Sequence, residues 1–125
     1  KSLLKAKSLM LNKFYKFLSP DRLEDTFKRA KMLINEPKFL ECVKDKEIYK
    51  EQPFKVKNEL KQMDLFCFNE REICVIDYKT TDKNIEENKK QVGEYKEALS
   101  KFYPKHSIIA VIFYALDGKM SYIEV

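Results

Sequence analysis

This chain is poor in the residues that build zinc sites, disulfide frameworks and flexible linkers. Its 125 residues include two glycines, three cysteines and a single histidine, His106. Without more histidines or any Cys-x-x-Cys spacing, a zinc site has too few ligands, and an odd number of cysteines does not make a disulfide framework. We therefore interpret Cys42, Cys67 and Cys74 as small buried hydrophobic residues in a reducing compartment.

Long hydrophobic runs are also missing. No apolar segment approaches the length of a membrane span and no signal peptide is present, so we expect a cytoplasmic protein without a membrane partner. Internal repeats and low-complexity tracts are absent, and 125 residues fit one domain. Because the chain begins with Lys1 rather than Met, we expect a fragment of a longer protein.

Arginine is scarce and lysine abundant. The chain has 22 lysines, three arginines and a net charge of +5. Lysine contacts phosphate as a flexible point charge and lacks the two-pronged guanidinium fork. If the partner is nucleic acid, this mixture favours backbone contact over base reading. Solvated lysine faces explain the charge equally well.

The hydrophobic spacing divides the chain into two parts. Residues 1–45 show helical periodicity, which predicts a helix over 2–18, a second helix that starts at "SPD" and a short third helix at "PKFLECV". In residues 46–125 the pattern predicts three strands, a helix from Asn84 to about Tyr103, and two more strands. The predicted strands are "EIYKEQPFKVK", "LKQMDLFCF", "EICVIDYK", "SIIAVIFYA" and "KMSYIEV".

Two local signals refine this prediction. Pro53 cannot donate a ladder hydrogen bond, so it places the first strand at a sheet edge or a bulge. Asn84 and Glu87 have the spacing of a capping box at the start of the long helix. The order of elements predicts an α/β (α+β) fold, with a mixed central β-sheet flanked by helices.

The turn "NERE" brings charged residues of two strands together. If the hairpin is centred on this turn, paired residue numbers sum to 141, and Asp64 lies opposite Asp77. Strand alternation then puts Asp77 and Lys79 on one face and Tyr78 on the other. Two carboxylates and one ammonium group therefore meet on one patch of the sheet.

Such a patch is unfavourable unless something positive compensates. At about 5 Å and an effective dielectric of about 20, two carboxylates repel by about 3 kcal/mol. Lys79, a bound cation or a proton on one Asp would relieve the repulsion. Carboxylates on rigid strands suit Mg²⁺ or Mn²⁺, which prefer oxygen ligands. A partly buried Asp–Lys pair at the end of a sheet is the simpler alternative.

The long helix contributes a polar pair next to its apolar stripe. Val92, Leu99 and Phe102 define that stripe, so Tyr95 lies within it and Gln91 at its margin. Gln91 and Tyr95 are four residues apart and hence neighbours on one helical face. Taken alone, Tyr95 fits plain core packing and Gln91 fits a solvated edge.

Together these motifs resemble the PD-(D/E)XK nuclease superfamily, in particular its RecB-like branch. The segments "KQMDLF", "VIDYKTT" and "QVGEY" occur in the order of the family's strand, strand and helix motifs. "YKEQPF" resembles the strand that precedes them in RecB- and AddA-type helicase–nucleases. The resemblance covers about residues 48–100 and implies a restriction-endonuclease-like αβββαβ core with extra N-terminal helices. It makes 1–125 a single nuclease domain fragment, with a helical part at 1–45 and the core at 46–125.

The resemblance also implies roles for individual residues. Asp64 and Asp77 would be catalytic metal ligands for Mg²⁺ or Mn²⁺, joined by the backbone carbonyl of Tyr78. Lys79 would be catalytic by orienting the attacking water and stabilising the negative charge that develops. The implied supporting or DNA-contacting residues are Gln91, Tyr95 and Glu51, the last matching the glutamate of the "YKEQPF" motif.

Two departures from the family pattern affect the expected activity. Lys61 replaces a family glycine, and the further metal ligand that the family takes from an upstream helix has no counterpart. His106 lies too far downstream to match it. Glu24, Glu36 and Glu41 are possible substitutes that match no motif. We therefore expect this fragment to cleave DNA weakly or not at all by itself.

The resemblance implies metal-dependent DNA phosphodiester hydrolysis, as the exonuclease V-like nuclease domain of a helicase–nuclease in double-strand-break repair. Its partners would be DNA, contacted through the backbone, together with the remaining domains of the longer chain and a partner subunit. Two alternatives stay open. One is a stand-alone RecB-family exonuclease, Cas4-like or phage-type. The other is a degenerate, non-catalytic nuclease fold that binds DNA or a partner subunit.

Overall fold

The structure is a computed structural model that describes residue 28 and residues 31–56, 59–116 and 118–125; side chains in residues 51–62 are not described. The helix predicted over 2–18 lies outside this part of the chain. Of the second predicted helix, residues 28 and 31–34 are described, and they are helical.

The elements that follow agree closely with those predicted from the periodicity. In chain order they are α1 (Pro37–Val43), β1 (Glu47–Val56), β2 (Glu59–Phe68), β3 (Glu72–Lys79), α2 (Ile85–Phe102), β4 (Ser107–Leu116) and β5 (Lys119–Glu124). The change from helical to strand periodicity near residue 45 is therefore a real boundary. Among the described residues, no helix has both the length and the apolar character that a membrane span requires.

The strands form one mixed sheet in the order β1-β2-β3-β4-β5. The β1–β2, β2–β3 and β4–β5 pairs are antiparallel, whereas β3 and β4 are parallel. A parallel pair needs a crossover connection, and α2 supplies it. The predicted mixed α+β class is confirmed. Pro53 lies in β1, an edge strand of the described sheet, as its missing N–H predicts.

Each face of the sheet carries its own hydrophobic cluster. The cluster on the α1 side includes Phe39 and Val43 of α1 with Ile76 of β3. The cluster on the α2 side includes Val92 and Leu99 of α2. The central strands β3 and β4 are covered on both faces, which explains why they are almost continuously apolar. Any polar group within them is consequently held in a low-dielectric setting.

The two helices begin differently. At α1, the Glu36 carboxylate accepts a hydrogen bond from the Lys38 N–H at 3.2 Å, and Pro37 occupies the first turn, where its missing N–H is harmless. The capping box predicted for α2 is wrong. Asn84 is the N-cap residue, but its side chain makes no capping hydrogen bond. Its φ of −125° and ψ of 44° lie outside the extended region from which a side chain reaches back to the helix N–H groups.

The predicted apolar stripe of α2 is confirmed for Val92, Tyr95 and Leu99, which are buried. Its last member is wrong, because Phe102 is 71% exposed. Tyr103 packs against the α2-side cluster instead, with its ring 5.8 Å from that of Phe68. Phe102 and Tyr103 are three and four positions after Leu99, so both lie next to the stripe. The chain turns towards the core at Tyr103.

Asn69 organises the turn between β2 and β3. Its side-chain oxygen accepts hydrogen bonds from the N–H groups of Arg71 at 2.8 Å and Glu72 at 2.7 Å. Its backbone N–H donates to the Glu72 carbonyl at 3.0 Å. These bonds replace ladder hydrogen bonds at the tip and thereby help to set which residues of the two strands meet.

We expect Asn69→Ala to lower the free energy of unfolding by about 1–3 kcal/mol, because two backbone donors lose their acceptor. Urea denaturation followed by circular dichroism measures the change. Glu70→Ala, an exposed residue of the same turn, is the matched control and should change stability by less than about 0.5 kcal/mol. Equal effects of the two substitutions would show that the Asn69 side chain does not organise the turn.

Candidate metal and phosphate site

The β2–β3 hairpin has the predicted register. The pairs Leu65–Ile76, Phe66–Val75, Cys67–Cys74 and Phe68–Ile73 all sum to 141. This register ends one residue short of Asp64 and Asp77, so those two residues are the next opposite pair. The register thus places the two carboxylates opposite each other, as predicted. The pairing of the two strands ends at this position.

Asp64 bridges the point at which the strands part. Its Oδ2 atom accepts a hydrogen bond from the backbone N–H of Tyr78 at 2.7 Å. The side chain thus takes the place of a backbone acceptor on β2 and keeps β2 and β3 connected beyond their last pair. A carboxylate held by a backbone N–H has a fixed orientation, which favours a role as a ligand or a charge-positioning group.

Asp77 is a charged residue, yet it is buried, at 7% exposure, because it belongs to the central strand of the sheet. Its Oδ2 atom lies 3.3 Å from the Lys79 ammonium nitrogen but has no well-aligned hydrogen-bond partner among the described residues. Tyr78, between them, packs into the cluster on the opposite face. The alternation predicted for Asp77, Tyr78 and Lys79 is therefore confirmed.

The pKa of Asp77 is raised from 3.8 to about 6. Burial is the largest cause, and the negative charge of Asp64 adds to it, while the Lys79 ammonium acts in the opposite direction. Lys79 therefore does not fully compensate the two acids. The remaining deficit of positive charge is the physical reason to expect that this patch accepts a cation or a proton.

The helix α2 brings its polar pair to the same place. Gln91 is half-buried, and its Nε2 atom donates to the Tyr95 hydroxyl at 3.2 Å. The pKa of Tyr95 is raised to about 12, first by burial and then by the charge of Asp77, with a smaller contribution from Asp64. Both carboxylates are therefore within electrostatic reach of the Tyr95 hydroxyl. The hairpin and the helix contribute to one site.

Sequence reasoning missed a second polar pair beside Lys79. Tyr114 of β4 is the parallel partner of Lys79, and its hydroxyl accepts a hydrogen bond from the Asn88 side chain at 3.1 Å. Asn88 precedes Gln91 by three residues and so shares a helical face with it. The polar run Asn88, Gln91, Tyr95 along an otherwise apolar face was a detectable signal. The identity of Tyr114 as its partner was not, because it lies in a different strand.

Other sequence candidates lie elsewhere. His106 is at the far end of β3, where its Nε2 atom is 3.1 Å from the Asn69 carbonyl oxygen and its ring stacks on Phe68. Glu36 caps α1, and Glu41 is 3.9 Å from Lys38, both on the opposite face of the sheet. Glu24 lies outside the described residues.

The backbone of Glu51 belongs to β1, but its side chain is not described. In the part of the chain that the structure describes, no group of three or more His, Cys, Asp or Glu side chains is arranged to hold a metal. The carboxylates that the hairpin places opposite each other are Asp64 and Asp77, and their role as metal ligands remains a prediction. The Tyr78 carbonyl remains a prediction.

The comparisons with known proteins add nothing to this geometry. No protein-family model matches the chain, and no curated protein matches it. The chemistry that the site can perform is therefore argued from its own side chains. Two carboxylates can hold a hard cation, and one ammonium group beside them can neutralise an anion that the cation binds.

The raised pKa of Asp77 predicts a pH-dependent stability. Between about pH 4 and 6 the folded chain holds a proton on Asp77 that the unfolded chain has released. The stabilising contribution is complete below pH 4 and is lost as pH rises through about 6. The unfolding free energy of the wild type minus that of Asp77→Asn should therefore fall by up to about 3 kcal/mol from pH 4 to 7.

Urea denaturation at a series of pH values measures this difference. Glu97→Gln removes an exposed carboxylate that pairs with Lys101 on α2, and it should reproduce the pH dependence of the wild type. A flat or rising difference for Asp77→Asn would contradict the raised pKa.

A second substitution separates the two causes of that shift. In Asp64→Asn the side chain keeps an oxygen that can accept the Tyr78 N–H but loses its charge. The pKa of Asp77 should then fall below about 6 while staying above 3.8, because burial persists. Carbon-detected NMR titration of the side-chain carboxyl group reports it, and an unchanged Asp77 pKa would mean that the two carboxylates do not interact.

Proposed function

We propose that this chain is a metal-dependent DNA nuclease domain of the PD-(D/E)XK superfamily, RecB-like branch. The observation that carries the proposal is the convergence of Asp64, Asp77 and Lys79 beneath the Gln91–Tyr95 pair. An acidic pair that one lysine does not neutralise, with Asp77 buried and Asp64 partly buried, is costly for a purely structural sheet. A site that receives a cation and a phosphate accounts for the arrangement.

The element order supports the same proposal. A helix, an antiparallel three-strand meander, a crossover helix and a parallel fourth strand follow one another in α1, β1–β3, α2 and β4. This is the αβββαβ order of a restriction-endonuclease-like core, which we propose for residues 46–125 with α1 in front. The proposed residues occupy the central strands and the crossover helix, where a fold of this type positions groups rigidly.

The acidic pair fits Mg²⁺ or Mn²⁺. Asp77 Oδ2 is buried without a well-aligned hydrogen-bond partner in the described structure, and Asp64 is held in place by the Tyr78 N–H. Asp64 and Asp77, with the Tyr78 carbonyl, would hold the ion, whose remaining positions suit water and phosphate oxygens. When bound, the ion would polarise the phosphate and acidify a coordinated water.

The side chains supply the rest of the proposed reaction. Asp77 Oδ2 lies 3.3 Å from the Lys79 ammonium nitrogen, and this contact would keep the ammonium group beside a phosphate bound at the acidic pair. There the ammonium would orient the attacking water and stabilise the charge that accumulates on the phosphoryl oxygens. Tyr95 and Gln91 would support the carboxylates and contact DNA, and Tyr114 with Asn88 would limit the movement of Lys79.

The net charge of +5 favours a second candidate function. A nuclease fold that has lost catalysis still binds DNA or a partner subunit through its lysines. Binding of this kind depends on salt and on many lysines together, and it needs neither Asp77 nor Lys79 in particular. Titration with Mn²⁺ and an assay of DNA cleavage separate the two functions.

Isothermal titration calorimetry with Mn²⁺ tests the metal site. We expect one binding event in the wild type that is lost in Asp64→Ala and Asp77→Ala, because each removes a charged ligand. Glu97→Gln, which removes a carboxylate far along α2, should bind Mn²⁺ as the wild type does. Binding that survives both aspartate substitutions would overturn the proposed metal site.

Cleavage of a fluorescently labelled linear duplex in Mn²⁺ tests the reaction. Lys79→Ala should reduce the rate by roughly 10²–10³-fold, the range seen when a group that stabilises transition-state charge is removed. Lys89→Ala, a partly exposed lysine of α2 that pairs with Glu86, is the control and should retain the rate. Because we expect weak cleavage at most from this fragment, the deciding outcome is that of a longer chain that supplies an upstream metal ligand. DNA binding without any cleavage in that chain, equal with Lys79 and with Lys79→Ala, would favour the non-catalytic function.

A further inference from the structure

A line of aromatic side chains leads away from the candidate site along β2. Asp64, Phe66 and Phe68 alternate onto one face of this strand, and Tyr49 of β1 is the direct partner of Phe66. The ring centroids of Tyr49 and Phe66 are 6.3 Å apart. Those of Phe66 and Phe68 are 6.2 Å apart, and the two ring planes are inclined by only 15°. The line therefore starts beside the Asp64 carboxylate.

The line continues into the segment that connects α2 to β4. The Phe68 ring stacks on His106 with a centroid distance of 5.2 Å, and it lies 5.8 Å from the Tyr103 ring. Tyr103 and His106 meet edge to face at 5.3 Å. Rings from three separate parts of the sequence are thus in continuous contact. We call these five side chains the aromatic row: Tyr49, Phe66, Phe68, Tyr103 and His106.

The aromatic row lies at the surface rather than in the core. Tyr49 is 41% exposed and the other four members are half-buried. On the opposite face of β2, by contrast, Leu65 and Cys67 are at most 1% exposed and belong to the α1-side cluster. The Tyr49 hydroxyl donates a hydrogen bond to the Glu47 carboxylate at 2.7 Å, which orients its ring. Contiguous apolar surface of this kind is typical of a binding site.

The surroundings of the aromatic row point to a nucleic acid as its occupant. At one end lies the acidic pair, for which we propose a metal ion and a phosphate. At the other end the Arg71 carbonyl accepts a hydrogen bond from the Ser107 N–H at 2.9 Å, so the exposed side chains of Arg71 and Lys105 both lie near His106. Aromatic rings that stack on bases, with basic groups for the phosphates, are the elements of a single-strand binding surface.

We propose that the aromatic row is a base-stacking surface that guides an unpaired DNA strand to the acidic pair. The inference rests on the proposed function, because the acidic pair is what makes a nucleic acid the fitting occupant. It adds contacts with the bases to the backbone contacts that lysine provides. An unpaired strand fits better than a duplex, whose bases are already stacked on one another.

The dimensions of β2 suit such a strand. Neighbouring side chains on one face of a β-strand are about 7 Å apart, so Phe68 lies about 14 Å along β2 from Asp64. This length accommodates a few nucleotides of an extended strand. Bases that stack on the rings leave their phosphates turned towards solvent and towards the basic side chains near His106.

Fluorescence anisotropy with a labelled oligothymidylate in EDTA tests the surface without metal and without cleavage. Tyr49→Leu and Phe66→Leu each keep an apolar side chain but remove a ring, and each should raise the Kd by roughly 5-fold or more. Tyr122→Leu is the matched control. Tyr122 is 46% exposed, and its ring contacts Phe113 on the α1 side of the sheet, so its loss should leave the Kd unchanged.

The salt dependence of binding separates stacking from charge. Tyr49→Leu removes no phosphate contact, so the slope of log Kd against log salt concentration should equal that of the wild type. Arg71→Gln should reduce this slope, because it removes a basic group. A blunt duplex should bind more weakly than the single strand, and its affinity should not respond to Tyr49→Leu.

Photocrosslinking of the wild-type chain locates the strand even if a variant fails to fold. With an oligonucleotide that contains iodouracil, we expect crosslinks in the tryptic peptides 47–50 and 62–71, which carry Tyr49, Phe66 and Phe68. Crosslinks confined to residues 120–125, which carry Tyr122, would overturn the proposal. Single-strand binding that is indifferent to both Tyr49→Leu and Phe66→Leu, or no single-strand binding at all, would also overturn it.

A failure of this proposal is distinguishable from a failure of the proposed nuclease function. Mn²⁺ binding that depends on Asp64 and Asp77, together with unchanged single-strand binding in the ring variants, would refute the aromatic row and leave the metal site standing. Weaker single-strand binding in the ring variants, without any Mn²⁺ binding, would support the aromatic row on a non-catalytic fold.

Discussion

The repulsion between Asp64 and Asp77 is the constraint around which the described structure is arranged. Each carboxylate comes from a different strand, and Asp77 is buried by the same packing that makes the sheet stable. Burial first and the charge of Asp64 second raise the pKa of Asp77 from 3.8 to about 6, a shift that corresponds to about 3 kcal/mol. That is a substantial part of the stability of a domain of this size. The groups around the pair reduce this cost without removing it.

The surrounding residues respond to that charge in distinct ways. Asp64 takes up the Tyr78 N–H where the strands part, so part of its charge is satisfied by the backbone. Lys79 approaches Asp77 from the exposed end of β3. On the helix side, Tyr95 offers a hydroxyl held by Gln91. The Tyr78 N–H, the Lys79 ammonium group and the Tyr95 hydroxyl thus surround the two acids. All three belong to strands or to a helix, and such preorganisation is what the proposed catalytic site requires.

Most of this arrangement could be predicted from the sequence, because it depends on local rules. Strand periodicity set the bounds of β2 and β3, and the turn residues set the register that places Asp64 beside Asp77. Alternation then assigned Asp77 and Lys79 to one face. The parting of the strands at Asp64 could not be predicted, since it results from a competition between a side-chain oxygen and a backbone carbonyl for the Tyr78 N–H.

The features that escaped prediction depend on tertiary packing. Asn84 has the right residue type for a cap, but the chain enters α2 with dihedral angles that prevent it. Phe102 and Tyr103 flank the helical stripe equally, and only the position of the aromatic rings beyond the helix decides between them. The inclusion of Cys42 in one buried cluster with Cys67 and Cys74 depends on how α1 lies on the sheet, which no periodicity encodes.

The crossover from β3 through α2 to β4 has a consequence for the order in which the molecule folds. Contacts of the β1–β2–β3 meander are local in sequence, whereas the parallel β3–β4 pair requires the closure of a loop that contains the whole of α2. We therefore expect the meander to form first, with Asp64 and Asp77 still hydrated. Their repulsion becomes expensive at the later step, when α2 settles on the sheet and excludes water. The candidate site would then act as a late barrier to folding, which a divalent cation in the folding buffer would lower.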